Sequence, residues 1–179
     1  AAKVEDKARE MGVRAVVAIA DAGGNLKLCE CMDDSYIASY DVAFQKAYTV
    51  VALKMPTSKL KTLSQPGESL YGIQFTNGGK IVIFGGGDPL KIGDKIVGGL
   101  GVSGGSEEQD TFLSAYGAEY FKKLFQFFGE YNFTIDENDP NDAEVGVDPE
   151  MLGKIFENLL EDNKDKGAFY TPKEIVRYM

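Results

Sequence analysis

The sequence contains no histidine, and this absence excludes several kinds of chemistry. Histidine is the usual general base at neutral pH and the commonest ligand of transition metals in proteins. Ser-His-Asp and Cys-His catalysis are therefore excluded for this chain. Long apolar runs are also absent, because no run approaches the roughly 20 residues that span a bilayer. The charged segment 1–10 lacks the apolar core of a signal peptide. We therefore expect a cytoplasmic protein that does not bind membranes.

Cysteine is scarce, since the only two are Cys29 and Cys31. In a strand, residues at this spacing share one face and are too close for an unstrained disulfide. Two thiolates supply half of the four ligands that structural zinc requires. We interpret the pair as reduced thiols in a reducing compartment, and we expect no metal site.

Basic residues are few near the end of the chain. Residues 124–179 carry a net charge of −8, whereas residues 1–123 carry −1. An excess of carboxylates repels phosphate backbones, so direct binding of nucleic acid is not expected. A basic or amphipathic protein partner suits this segment better. The change in charge predicts a boundary near residue 124.

The hydrophobic pattern predicts an α+β domain with a largely antiparallel sheet flanked by helices. Glycine, proline and asparagine mark the turns between the elements. Ser106 and Gln109 have the spacing of a helix-capping box. The predicted helices are 2–11, 39–55, 58–63 and 106–128. The predicted strands are 13–21, 26–32, 70–75, 80–84 and 95–102, with a hairpin turn at 76–79 and a tight loop at 85–89.

A glycine-dense loop ends at Gly105, directly before the helix that Ser106 opens. Backbone amides at a helix N-terminus can bind a carboxylate or a phosphate. Acidic residues in the first turn compete for the same positive end. The sequence leaves both interpretations open: an anion site, or a close-packed turn between strand and helix.

Five segments, in this order and spacing, resemble the GlcG/HbpS family, which includes the C-terminal domain of PduO-type cobalamin adenosyltransferases. They are VVAIADAGGNL (16–26), MD (32–33), AFQKA (43–47), FGGGDPL (84–90) and GVSGG (101–105). The resemblance covers about residues 3–123. It implies a profilin-like fold with a five-stranded antiparallel sheet, assembly into homo-oligomers, and a haem or a corrinoid as the ligand.

The same resemblance implies a ligand pocket. Its expected residues are Lys46, Gly86, Gly87, Ser103 and Gly104, with Asp21 nearby. For Lys46 the alternative is a solvated or ion-paired lysine, and for the glycines it is turn geometry. Without histidine, a haem iron would need a Met, Cys, Lys or Tyr ligand. We expect a binding protein rather than an enzyme. An enzyme acting on a small acid through Lys46 and Asp21 is a weaker hypothesis.

The last third resembles the segment before the catalytic core of adenine DNA methyltransferases of restriction-modification type. The resemblance is carried by DPEMLGKIFENLL (148–160) and GAFYTP (167–172). The cofactor and catalytic motifs of that family are missing downstream, so we expect neither methyl transfer nor S-adenosylmethionine binding. We interpret residues 124–179 as an acidic helical extension that makes the chain chimeric.

A predicted helix over 149–161 gives this extension an apolar stripe of Leu152, Ile155, Phe156 and Leu159. Such a stripe can dock into a groove on a partner. The alternative function is therefore that of an interaction or inhibitor protein. Its extension would act on a partner in DNA modification or defence, or on a toxin.

Shortening the chain after Lys123 separates the two hypotheses. If the extension binds a partner, the shortened chain loses capture of that partner but keeps ligand binding, because the expected pocket lies in residues 1–123. Pull-down and ligand titration with both chains measure this. Partner capture that survives the deletion contradicts the interaction hypothesis. Loss of ligand binding by a folded shortened chain contradicts the position of the pocket.

Overall fold

The computed structural model describes residues 1–129, and Ala1–Phe125 forms one compact unit. Along the chain, one helix, two strands, two helices, two strands and a last helix follow one another, as expected for an α+β domain. The helices are α1 (Ala2–Glu10), α2 (Ile37–Leu53), α3 (Thr57–Leu63) and α4 (Glu107–Gly129), and the strands are β1 (Val16–Asp21), β2 (Leu26–Cys31), β3 (Gly87–Ile92) and β4 (Lys95–Ser103).

The strands form one antiparallel sheet in the order β2-β1-β4-β3. Val16 of β1 pairs with Cys31 on one side and with Ser103 on the other. This arrangement confirms the predicted fold class, an antiparallel sheet flanked by helices. The resemblance implied five strands, whereas the described residues form four.

The predicted hairpin over residues 70–84 is wrong. Two short 3-10 turns, Ile73–Phe75 and Asn77–Gly79, occupy this region. Gly72, with φ +87°, breaks the extended run that its apolar neighbours suggest. The third strand is instead β3, which includes part of the predicted tight loop at 85–89. Pro89 can lie in it because β3 is an edge strand, where a missing N–H is tolerated.

The two faces of β1 contribute to different parts of the core. Val17 belongs to a cluster with Val4 and Leu113, which come from α1 and α4. Val16 belongs to a second cluster with Ala43 of α2. Because successive side chains of a strand point to opposite faces, β1 contributes buried side chains to both faces of the sheet. Among residues 1–129, the helices are all too short or too polar to cross a bilayer.

Helix α2 lies very close to β4 because the strand offers it glycines. A Cβ atom on Gly99 or Gly101 would collide with a backbone carbonyl oxygen of α2, that of Ala47 or Ala43 respectively. Backbone atoms cannot move aside as the end of a flexible side chain can. The glycines of β4 therefore set the distance between helix and sheet.

Replacing Gly101 by Ala should destabilise the fold by about 3 kcal/mol, at the upper end of the usual cost of overpacking. The matched control is Gly93→Ala, because a Cβ there meets no atom within 4 Å and only the φ of +57° opposes it. That strain costs about 1 kcal/mol. Urea unfolding of both variants measures the difference. Equal losses would contradict the close approach of α2.

Candidate functional site

A buried ion pair joins α2 to α4. Lys46 shares a face of α2 with the buried residues Ala43 and Val50, so its side chain points toward the sheet. Its Nζ donates to Oδ2 of Asp110 and to the carbonyl oxygen of Val102, both at 2.8 Å. The side chains are 0% and 6% exposed. The structure thus places the predicted Lys46 in an ion pair, below the surface.

The surroundings of Lys46 are tight and partly apolar. Burial lowers the pKa of the Lys46 ammonium, and the Asp110 carboxylate opposes this shift. The Phe84 ring lies 5.1 Å from Nζ, a cation-π contact. A Cβ on Gly86, whose φ is +108°, would lie only 2.6 Å from Nζ. Gly86 is therefore needed both for its backbone conformation and for the space that Lys46 fills.

Carboxylates of α4 bind the backbone of the two glycine-rich loops. Asp110 Oδ1 accepts from the Gly105 amide, and Glu107 Oε1 accepts from the Gly85 amide, both at 2.9 Å. The predicted capping box is present: the Ser106 amide donates to Gln109 Oε1, and the Gln109 amide donates to Ser106 Oγ. Of the two open interpretations, these contacts favour the close-packed turn. An external anion would have to displace the protein's own carboxylates.

A cleft of about 320 Å³ opens above this pair, between the start of α2 and the turn from β4 to α4. Its walls combine apolar side chains with hydroxyls and carboxylates. The Oγ atoms of Ser39 and Ser103 are 3.1 Å apart and link its two sides. The lining residues are Tyr36, Ala38, Ser39, Val42, Phe84, Ser103, Gly104, Gly105, Glu107 and Asp110.

Four of the predicted site residues lie at or beneath this cleft. Ser103 and Gly104 line it, while Lys46 and Gly86 lie beneath it around Asp110. Gly87 serves another contact, since its amide donates to Thr57 Oγ1 at 2.9 Å. That these residues bind a ligand stays a prediction.

Asp21 lies elsewhere, at the end of β1 where the turn into β2 begins. Its carboxylate accepts from the amides of Gly23 and Asn25, both at 2.9 Å, and pairs with Lys27 at 3.1 Å. The Asn25 amide, followed by Lys27, lowers the pKa of Asp21 to about 2. Asp21 is five residues along β1 from Val16, the partner of Ser103. At about 3.3 Å per residue, roughly 16 Å separate it from the cleft. The structure does not bring Lys46 and Asp21 together.

Several cleft residues, notably Tyr36, Val42 and Phe84, are not among the site residues predicted from the sequence. Tyr36 directly precedes α2 and is 73% exposed. An aromatic residue beside a helix start gives no sequence signal for a ligand. The predicted apolar stripe lies outside the described part of the chain; its residues are Leu152, Ile155, Phe156 and Leu159. The boundary predicted near residue 124 stays a prediction.

The fold and the cleft define a profilin-like α+β domain, with its candidate site where a helix begins beside the sheet. The family model described as "Haem degrading protein HbpS-like" matches residues 1–119. The chain belongs to this HbpS-like family, which confirms the first resemblance.

Curated relatives agree with this assignment. An uncharacterized 15.0 kDa protein from the dhaT-dhaS intergenic region of Citrobacter freundii is 45% identical over 121 residues, which cover 68% of this chain and 85% of that protein. The corrinoid adenosyltransferase PduO of the same organism is 43% identical over 108 residues. That match covers 60% of this chain but 32% of PduO.

Solved structures share the fold. Klebsiella pneumoniae protein ORFY is 42% identical with a TM-score of 0.65, over 67% of this chain and 83% of that one. The PduOC:heme complex is 40% identical with a TM-score of 0.61, over 64% of this chain and 85% of that one.

A further match involves a protein that combines a restriction enzyme with a methyltransferase. The putative type II restriction enzyme and methyltransferase RM.MjaORFECS2P of Methanocaldococcus jannaschii is 32% identical over 66 residues. The match covers 34% of this chain and 6% of that protein. So short a share does not carry over that protein's activity.

Replacing Lys46 by Met should cost about 3–5 kcal/mol of unfolding free energy, because it leaves a buried carboxylate unpaired. Adding Asp110→Asn should recover part of the loss. The matched control is Lys61→Met, since the Lys61–Glu107 pair has side chains 48% and 29% exposed. Surface pairs contribute up to about 1 kcal/mol. Urea unfolding at pH 7 compares the three variants. Equal costs for Lys46→Met and Lys61→Met would contradict the structural role of the buried pair.

Proposed function

We propose that this chain is a haem-binding domain and that the cleft beside the start of α2 is its binding site. The observation that carries the proposal is the combination of apolar walls, Val42 and Phe84, with the exposed phenol of Tyr36 at one opening. Ligand pockets typically pair apolar walls with a few placed polar groups. The structure of the related PduOC domain as a haem complex supports haem as the ligand.

One residue of the cleft is suited to be the axial ligand of a haem iron. The chain has no histidine, and Lys46 is held in its buried ion pair. Met32 is buried, and its Sδ accepts from the Ala15 amide at 3.3 Å. Tyr36 is exposed and lines the cleft, and tyrosine oxygen is an established axial ligand of haem iron. We therefore propose Tyr36 as the iron ligand.

The remaining cleft residues have complementary roles in this proposal. Phe84 and Val42 would cover the apolar ring face, while Ser39 and Ser103 would offer hydroxyls to polar ring substituents. Bound haem would supply an iron centre for binding or redox chemistry. A corrinoid has a related macrocycle, so it is the alternative ligand of the same cleft.

The proposal includes association of identical chains. A cleft of about 320 Å³ lies at the small end of ligand pockets, roughly 300–1,000 Å³, so a macrocycle would extend beyond it. Tyr36, Ile37 and Tyr40 at the start of α2 are 73%, 96% and 49% exposed. Clustered exposed apolar side chains mark interaction surfaces. A second copy could cover both these side chains and the protruding part of the ligand.

Haemin titration tests the proposal. The full chain should shift the Soret absorbance at micromolar haemin, and Tyr36→Phe should weaken binding about tenfold by removing the oxygen donor, a loss near 1.4 kcal/mol. The matched control is Tyr71→Phe, because Tyr71 is 64% exposed and does not line the cleft. A parallel cobalamin titration tests the alternative ligand. No absorbance shift at micromolar haemin contradicts haem binding, and equal affinity of the two variants contradicts Tyr36 ligation.

A further inference from the structure

Cys29 and Cys31 lie on one face of the edge strand β2. Cys29 pairs with Ala18 and Cys31 with Val16, and these partners both face α2. Residues two apart in a strand point to the same side. The side chains of the two cysteines therefore stand next to each other on the α2 side of the sheet edge.

The two cysteines lie at the surface of the domain or close to it. Cys31 is exposed, and Cys29 is half-buried against the cluster that includes Phe44. Burial, followed by the proximity of Cys31, raises the pKa of the Cys29 thiol to about 11. At neutral pH this thiol is protonated, so it is a poor nucleophile toward ordinary oxidants.

Two common roles of a cysteine pair, a disulfide and a structural zinc site, do not suit Cys29 and Cys31. An intrachain disulfide between residues two apart would be strained. Within residues 1–129, no cluster of three or more His, Cys, Asp or Glu side chains could hold a metal ion, so a zinc site with four protein ligands is not formed. A cation that is satisfied by two sulfur ligands does not need such a cluster. Thiolates select soft ions, of which Cu(I) is the first-row example.

We propose that Cys29 and Cys31 form a two-coordinate site for a soft monovalent cation of the Cu(I) class. Both thiols release their protons on binding, so one Cu(I) and two thiols give a dithiolate complex of net charge −1 and two protons, with no change of oxidation state. Phe44 packs against the same cluster of Val16, Ala18 and Ala43 as Cys29 does. This proposal does not depend on haem binding at the cleft.

Anaerobic competition with bicinchoninate for Cu(I) tests this site, using the full chain and ascorbate as the reductant. A thiol count in denaturant first checks that both cysteines are reduced. We expect one Cu(I) per chain, with two sulfur ligands by X-ray absorption. Cys29→Ser and Cys31→Ser should each weaken binding by about 100-fold or more, because the strand gives the second thiolate a high effective concentration.

The matched control is Ser35→Ala, a hydroxyl removed just beyond the end of β2, which should leave Cu(I) affinity unchanged. Circular dichroism checks that each serine variant is folded. Four results would overturn the proposal. They are no withdrawal of Cu(I) from bicinchoninate, equal withdrawal by the double serine variant, half a Cu(I) per chain with dimerisation, and a disulfide in the chain as purified.

Discussion

The ion pair between Lys46 and Asp110 is the interaction on which the rest of this domain depends. It joins the middle of α2 to the first turn of α4 across the end of β4, and Lys46 also donates to the Val102 carbonyl. Asp110 uses its other oxygen to hold the Gly105 amide. One buried charge pair therefore fixes two helices, the last strand and the glycine turn. Removing one partner would leave the other charge buried and unpaired. This destabilises a protein more than replacing both partners with apolar residues of similar size.

Two glycines make this close arrangement of helix, strand and ion pair possible. Gly86 leaves the space that the Lys46 ammonium fills, and Gly101 lets α2 come close enough for Lys46 to reach Val102. With α2 so close to the sheet, there is little room for a ligand between them. Within residues 1–129, a cleft lies where the helix begins, beside Ser103, and the sheet edge at β2 carries the two cysteines. The two candidate sites lie at these two places.

The fold could be predicted from the sequence where local signals and the tertiary structure agree. The capping box at Ser106 predicts the start of α4 because its contacts are local, between residues three apart. Strand β3 could not be predicted, because Pro89 and the glycines before it read as a loop. Its pairing with β4 and its edge position, which tolerate the proline, are properties of the assembled sheet. Near residue 72 the opposite error occurs, because an apolar run predicts a strand that does not form. Gly72, with φ +87°, breaks the extended backbone there.

The candidate site could be predicted from the sequence only through the family resemblance, which directed attention to Lys46, Gly86, Ser103 and Gly104. It could not tell which of these face the cleft, since that depends on the depth at which Lys46 is buried. Nor could it find Tyr36, whose place at the cleft depends on where α2 begins. It also could not show that Cys31 and the cleft residue Ser103 lie in one row of paired residues across the sheet.

That row runs from Cys31 through Val16 to Ser103 across three strands. At about 4.8 Å between strands, the dithiol edge lies roughly 10 Å from the cleft. Both candidate sites thus lie on the α2 side of the sheet, at the end where that helix begins. Farther along β4 on this face, Gly99 and Gly101 bring α2 directly against the sheet. A ligand that extended from the cleft by roughly 10 Å toward β2 would therefore reach the dithiol edge.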